Sequence, residues 1–238
     1  MTRIKQKVSE YNALIRFLNM ISETPKIQGI NEGEDPPDYV VTFKHKVVSI
    51  EHTRFMNKSQ KQIEEFRKSI IIDAQNEFEK IYGKTLSVQF NFSNEPMRTT
   101  KDKPKSYYTK ILLDLVLEIY EINKERNFSI STKLNSIENK FINSITISNQ
   151  REIFPWETCG AFLVQKADFK VLQNIIYKKS EDVKKYKTRC DENWLLIEAG
   201  IGNKSTGYYF DDISDELQKE NFDKIFLMDY RAEQFLEV

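Results

Sequence analysis

The chain has 238 residues, 30% of them charged, with 36 Lys and Arg against 36 Asp and Glu. That length can bury a sizeable core without staples, and the neutral balance argues against a broadly basic, histone-like binder while leaving local basic stripes open. Two cysteines (Cys159, Cys190) and two histidines (His45, His52) are too few and scattered for a structural zinc site, and seven glycines without a P-loop or GxGxxG pattern imply no nucleotide cofactor.

Residues 2 to 22 place Ile4, Val8, Tyr11, Ile15, Leu18 and Ile21 at helical spacing, with Leu14 and Phe17 widening the stripe, which predicts an amphipathic helix ending before Pro25. The opening MTRIKQKVSEY has no apolar h-region and no run approaches 18 apolar residues, so membrane spanning is not expected and a cytoplasmic location is. Two short runs, Tyr39 to Phe43 and Val47 to Glu51, carry the β-branched and aromatic residues of a hairpin. Asn57 or Ser59 can cap a long helix through KQIEEFRKSIIIDAQNEFEKIYG, closed by Gly83. LSVQFNF alternates as a strand, NEPMRTTKDKPKS reads as a loop, and KILLDLVLEIYEI reads as a buried helix. Farther on, SITIS and the REIFPW segment suggest one or two strands and AFLVQ a short one. Residues 168 to 187 form a helix, NWLLIEAG a buried strand and FDKIFLMD a last strand. Alternation of this kind predicts an α/β fold, a mixed β-sheet flanked by helices.

The hairpin PPDYVVTFKHKVVSIEHTRF holds an aspartate at its mouth and a glutamate inside an apolar strand. If Lys44 pairs with Val47 around a two-residue loop, Val40 lies opposite Glu51 and Asp38 opposite Thr53, which puts Asp38, Glu51 and Thr53 on one face. A three-residue loop would send Asp38 to the other face. Two carboxylates held this close repel each other unless a positive charge sits between them, and a divalent cation with oxygen ligands is the usual one. The plainer alternative is that Asp38 caps the strand entrance and Glu51 faces water.

Pro37-Asp38, a spacer of 12 residues and Glu51-His52-Thr53, preceded by a helix carrying a glutamate, resembles the PD-(D/E)XK nuclease-like superfamily. The resemblance implies a restriction-endonuclease-like core in αβββαβ order within a single domain of residues 1–238. The core motif would fall in 1–95, with additional helices and strands elaborating 96–238. It implies a Mg²⁺- or Mn²⁺-dependent nuclease hydrolysing phosphodiester bonds in DNA, with Asp38 and Glu51 as metal ligands. The lysine expected at the third position of the second motif is here Thr53, and a replacement amine would come from Lys58 or Lys61, with Gln62 a further candidate at the next helix. Glu10, on the edge of the first helix's apolar stripe, best fits the first-helix glutamate that completes the acidic cluster, with that helix packed over the carboxylates; Glu34 is a substitute. Otherwise Glu10 is a boundary residue reaching water. His52 points away from Glu51 in a regular strand and reads as a packed or surface histidine.

Nucleic acid is the partner this resemblance implies, and phosphate contact needs positive charge. YKKSEDVKKYKTR at 177–189 is the densest basic stretch. It reads first as a solvated helix face with a Glu181 to Lys185 pair, and second as a DNA-facing stripe. Lys101, Lys103 and Lys105 form another candidate, beside the tyrosine pairs Tyr107-Tyr108 and Tyr208-Tyr209. A catalytically inactive nuclease-fold binding module for nucleic acid or protein is the alternative function.

Overall fold

The computed structural model describes the chain apart from residues 1–2, 22–26, 33–35, 96, 135–139, 151–154, 188, 212 and 214–215. Helix α1 (Arg3–Met20) leads into strands β1 (Ile27–Glu32), β2 (Tyr39–Phe43) and β3 (Val47–Arg54). Next come α2 (Lys58–Tyr82), β4 (Ser87–Phe92), α3 (Lys105–Asn123), β5 (Ser129–Lys133), β6 (Ile142–Ser148) and β7 (Glu157–Cys159). The chain finishes with β8 (Gln165–Lys166), α4 (Phe169–Val183), β9 (Glu192–Ala199), β10 (Tyr208–Tyr209), β11 (Lys224–Asp229) and β12 (Gln234–Glu237). The expected mixed α/β architecture is present, with mixed sheets and, among the described residues, four α-helices. Among the described residues, no helix is long and apolar enough to cross a membrane.

The chain divides into two compact units: residues 1–57 with 163–238, and residues 58–162. In the first, six strands run in the order β1-β2-β3-β9-β11-β12. The β1-β2-β3 meander is antiparallel, β3, β9 and β11 are parallel, and β12 returns antiparallel. A parallel neighbour requires a crossover rather than a hairpin, and α4 lies in the segment leading from β8 into β9. Successive strand residues face opposite sides, so β3 and β9 feed two separate cores. Val48, Ile50, Trp194 and Leu196 pack with Leu14, Phe17 and Leu18 of α1. Leu195, Ile197 and Ala199 pack with Leu172 and Ile176 of α4. Asp168 caps α4, its carboxylate accepting the Val171 N–H at 3.0 Å.

The second unit has its own core. Ile70, Ile71, Ala74 and Phe78 of α2 and Leu112, Val116 and Tyr120 of α3 cover Val88, Phe90, Ile145 and Ile147 of the sheet β5-β6-β4-β7. Helix α2 ends as the sequence predicts, with Gly83 at φ 64° and its N–H bonded to Glu79 O at 2.8 Å. The predicted AFLVQ strand does not form: only Gln165 is extended, and Leu163 is 88% exposed. Apolar character favours a strand only where a face can be buried, and this stretch has none. Residues 151–154, four of the six residues of the REIFPW segment, lie outside the described residues.

Candidate functional site

The β2-β3 hairpin turns through Lys44-His45: Phe43 N–H donates to Lys46 O at 2.8 Å, and Thr42 pairs with Val47, Val41 with Val48 and Tyr39 with Ile50. The expected pairing of Lys44 with Val47 is therefore off by two residues. A shift of two preserves the face, because strand side chains alternate with period two. Continued by one step, the ladder puts Asp38 across from Glu51 rather than Thr53. Asp38 Oδ2 accepts the His52 N–H at 2.9 Å, which anchors the hairpin mouth on β3.

Glu51 lies in the parallel ladder opposite Leu195, with its side chain on the α4 face and 4% exposed. Lys179 of α4 donates to Glu51 Oε1 at 2.6 Å, and the Tyr186 hydroxyl donates to Oε2 at 3.2 Å. Burial raises the Glu51 carboxyl above the ordinary carboxylate range, and the nearby charge of Asp38 adds to this against the pull of Lys179. Asp38 is raised for the same first reason, burial, offset in part by the His52 N–H and Lys179. Burial works against the Lys179 ammonium, yet Glu51 and Asp38 outweigh it and raise the amine, so Lys179 stays charged at neutral pH. Asp38, Glu51 and Lys179 thus form one electrostatic unit, in which one ammonium, bonded to Glu51, acts on two desolvated carboxylates.

Helix α1 does not cover this face. Its buried side chains Ala13, Leu14, Phe17 and Leu18 pack with Tyr39, Val41, Val48 and Ile50 on the opposite side, because those strand residues have the other parity. Glu10 belongs to the half-exposed part of α1, where it accepts from Gln6 Nε2 at 2.9 Å. Its charge still reaches the hairpin mouth: burial, then Glu10 and Asp38, push the Tyr39 phenol up to about 12, and Glu10 also acts on Asp38. Thr53 follows two residues after Glu51 on the same face, half-buried and paired with Ile197. Glu34 lies outside the described residues. Among the described residues, no group of three or more His, Cys, Asp or Glu side chains is placed to hold a metal ion, so the expected acidic cluster of Glu10, Asp38 and Glu51 does not assemble.

His52 does point away from Glu51, as its parity predicts. It is buried on the α1 face with Nε2 3.4 Å from Glu198 Oε2, while Arg54 Nε donates to the same oxygen at 3.0 Å and Arg54 also bonds Ser9 of α1 at 2.5 Å. Burial alone would raise Glu198, but the proximity of His52 and the hydrogen bond and charge of Arg54 outweigh it and hold the carboxyl below its ordinary range. The two faces of β3 therefore carry two separate charged clusters.

The lysine that meets Glu51 is Lys179 of α4, while Lys61, one of the expected amine sources, is 4.0 Å from Glu65 along its own helix. The sequence holds a signal for it. Leu172, Ile176, Lys179 and Val183 recur at spacings of four and three, so Lys179 sits on the inward stripe of α4, and Tyr186 continues the spacing in the turn beyond the helix, while the other described basic residues of the stretch are exposed. Lys184 pairs with Glu181 at 2.7 Å and Lys185 with Asp182 at 2.6 Å, so the outward face is solvated as expected, through i,i+3 pairs rather than Glu181 to Lys185. In the second unit, Lys105 pairs with Asp73 at 2.6 Å and Lys103 lies 5.8 Å from the Tyr107 ring centre. Tyr108 is buried with its hydroxyl on Arg98 O, and in the first unit Tyr208 packs edge-on against Phe55.

Comparison with family models, with curated proteins and with solved structures finds no match for this chain.

Proposed function

We propose that Asp38, Glu51 and Lys179 form the working site of a metal-dependent nuclease that hydrolyses phosphodiester bonds in DNA. The observation that carries this reading is Lys179 Nζ at 2.6 Å from Glu51 Oε1 on the face shared with Asp38. It supplies from α4 the amine that Thr53 lacks. Element order supports it too: α1, the β1-β2-β3 meander, α4 and then β9 parallel to β3 follow the helix, three strands, helix, strand order of the PD-(D/E)XK nuclease-like core, with residues 58–162 interposed between β3 and α4.

Asp38 and Glu51 supply two oxygen donors of the kind a hard divalent cation takes, short of a complete set of protein ligands. Two carboxylates are held on one sheet face, desolvated and mutually repelling, and Mg²⁺ or Mn²⁺ takes such oxygens. When bound, such an ion polarises a phosphoryl oxygen and lowers the pKa of a coordinated water. Asp38, pinned by the His52 N–H, and Glu51, fixed on β3, would hold it. Lys179, charged at neutral pH, offers a positive charge to a phosphoryl oxygen or orients the attacking water, and does not act as a base.

One observation favours the alternative of a catalytically inactive binding module: the Glu51 carboxylate is already neutralised by Lys179, and Thr53 stands where the motif lysine belongs. Incubating purified protein with supercoiled plasmid and with single-stranded DNA, in Mg²⁺ or Mn²⁺, separates the two. The nuclease reading expects nicking that disappears in Glu51→Gln. Absence of cleavage with both metals, or equal cleavage by Glu51→Gln, leaves the binding module as the better account.

A further inference from the structure

We propose that Tyr186 is the positioning residue of this site, holding the Glu51 carboxylate with Oε1 turned toward Lys179 so that it can engage a divalent ion. The inference rests on the metal-dependent reading above. A glutamate's terminal torsion has a broad, nearly two-fold potential, so hydrogen bonds alone decide where its oxygens point. In Glu51, Oε1 takes the Lys179 amine at 2.6 Å and Oε2 takes the Tyr186 hydroxyl at 3.2 Å.

The two donors differ in kind. Lysine is a compact charge on a flexible four-carbon stem, whereas tyrosine has a rigid ring and two side-chain torsions. Tyr186 also starts from a fixed backbone, in a turn closed by Lys185 N–H on Asp182 O at 2.9 Å and Tyr186 N–H on Val183 O at 3.1 Å. Lys179 reaches Glu51 from within α4 and Tyr186 from the turn that follows the helix end at Val183, and the two side chains converge on one carboxylate. When the Lys179 amine turns to a phosphoryl oxygen, Tyr186 still holds Glu51 in place.

Tyr186→Phe removes the hydroxyl and keeps the ring, and Mn²⁺ binding by titration calorimetry reads its effect independently of turnover. The expected result is a Mn²⁺ dissociation constant about 10- to 100-fold weaker, the usual loss for a partner that orients a metal ligand. The far-UV spectrum should be unchanged, and kcat for DNA cleavage should fall with little change in KM. Tyr177→Phe, at an exposed tyrosine of α4, should leave Mn²⁺ affinity as it is. Unchanged Mn²⁺ affinity in Tyr186→Phe, or an equal loss in Tyr177→Phe, overturns the assignment. Mn²⁺ binding without cleavage by the wild type overturns the nuclease reading alone, because the affinities still decide the role of Tyr186. A wild type that takes up no Mn²⁺ overturns both.

Discussion

Lys179 and Glu51 stand 128 positions apart in the chain, and their side chains meet at 2.6 Å on the α4 face of the central sheet. Glu51 is 4% exposed and Lys179 28%, so the pair is largely out of water and neither charge is indifferent to losing the other.

Lys179→Met should therefore affect both stability and activity. Leaving Glu51 buried without its cation should cost about 2 kcal/mol, visible as a lower urea midpoint at pH 7. Cleavage should fall about 100- to 1,000-fold, the loss seen when a preorganised electrostatic contact is removed. Lys58→Met and Lys61→Met should cut like wild type; if either abolishes nicking while Lys179→Met does not, the amine has been assigned to the wrong helix.

Asp38→Asn should stabilise the protein at neutral pH. The folded-state pKa of Asp38 lies above its ordinary value of 3.8 because burial disfavours the charge. A raised pKa means the folded protein holds the proton more tightly, so this group's stabilising contribution is complete below pH 3.8 and is lost as pH rises through the folded pKa. Asparagine still accepts the His52 N–H and carries no charge to bury. Thermal melts from pH 7.5 down to 4.5 should show the advantage of Asp38→Asn shrinking as pH falls, and a constant or growing advantage would contradict the sign.

Mn²⁺ at millimolar concentration should raise the melting temperature of the wild type. An ion that binds only the folded state stabilises it by RT ln(1 + [L]/Kd), about 2.7 kcal/mol at a hundredfold excess over Kd. The Asp38→Ala, Glu51→Ala double variant should show no Mn²⁺-dependent shift; the same shift in both proteins would place the ion elsewhere.

Gly200→Ala tests the loop that follows β9. Gly200 has φ 81°, and an added Cβ would stand 2.7 Å from Asp229 Oδ1 and 3.3 Å from Tyr230 N. Asp229 Oδ1 is not free to retreat, since it accepts the Arg231 and Ala232 N–H groups. Strain and contact together should cost about 1 to 3 kcal/mol. Gly202→Ala shares the positive φ but meets nothing within 4 Å and should cost less, so equal losses in chemical denaturation would argue against the contact.

What the sequence determines by itself is local. Helical stripes in residues 2–22 and 168–187, alternation in LSVQFNF and the apolar run of NWLLIEAG identify elements whose side-chain periods are intrinsic. The shared face of Asp38 and Glu51 was legible for the same reason, because any even-loop hairpin keeps their parity even when the register slips by two. The tertiary structure decided which strand lies beside β3 and which helix lies over it. In sequence the next helix and strand are α2 and β4, yet β4 pairs with β6 and β7 in the second unit, while β9 pairs with β3. Parallel pairing is closed by a crossover whose length local periodicity does not limit, so the competition between β4 and β9 was settled by which cores could be completed. That choice brought α4 to the carboxylates and put α1 on the other face. It also turned Lys179, one lysine among several in a basic stretch, into the partner of Glu51.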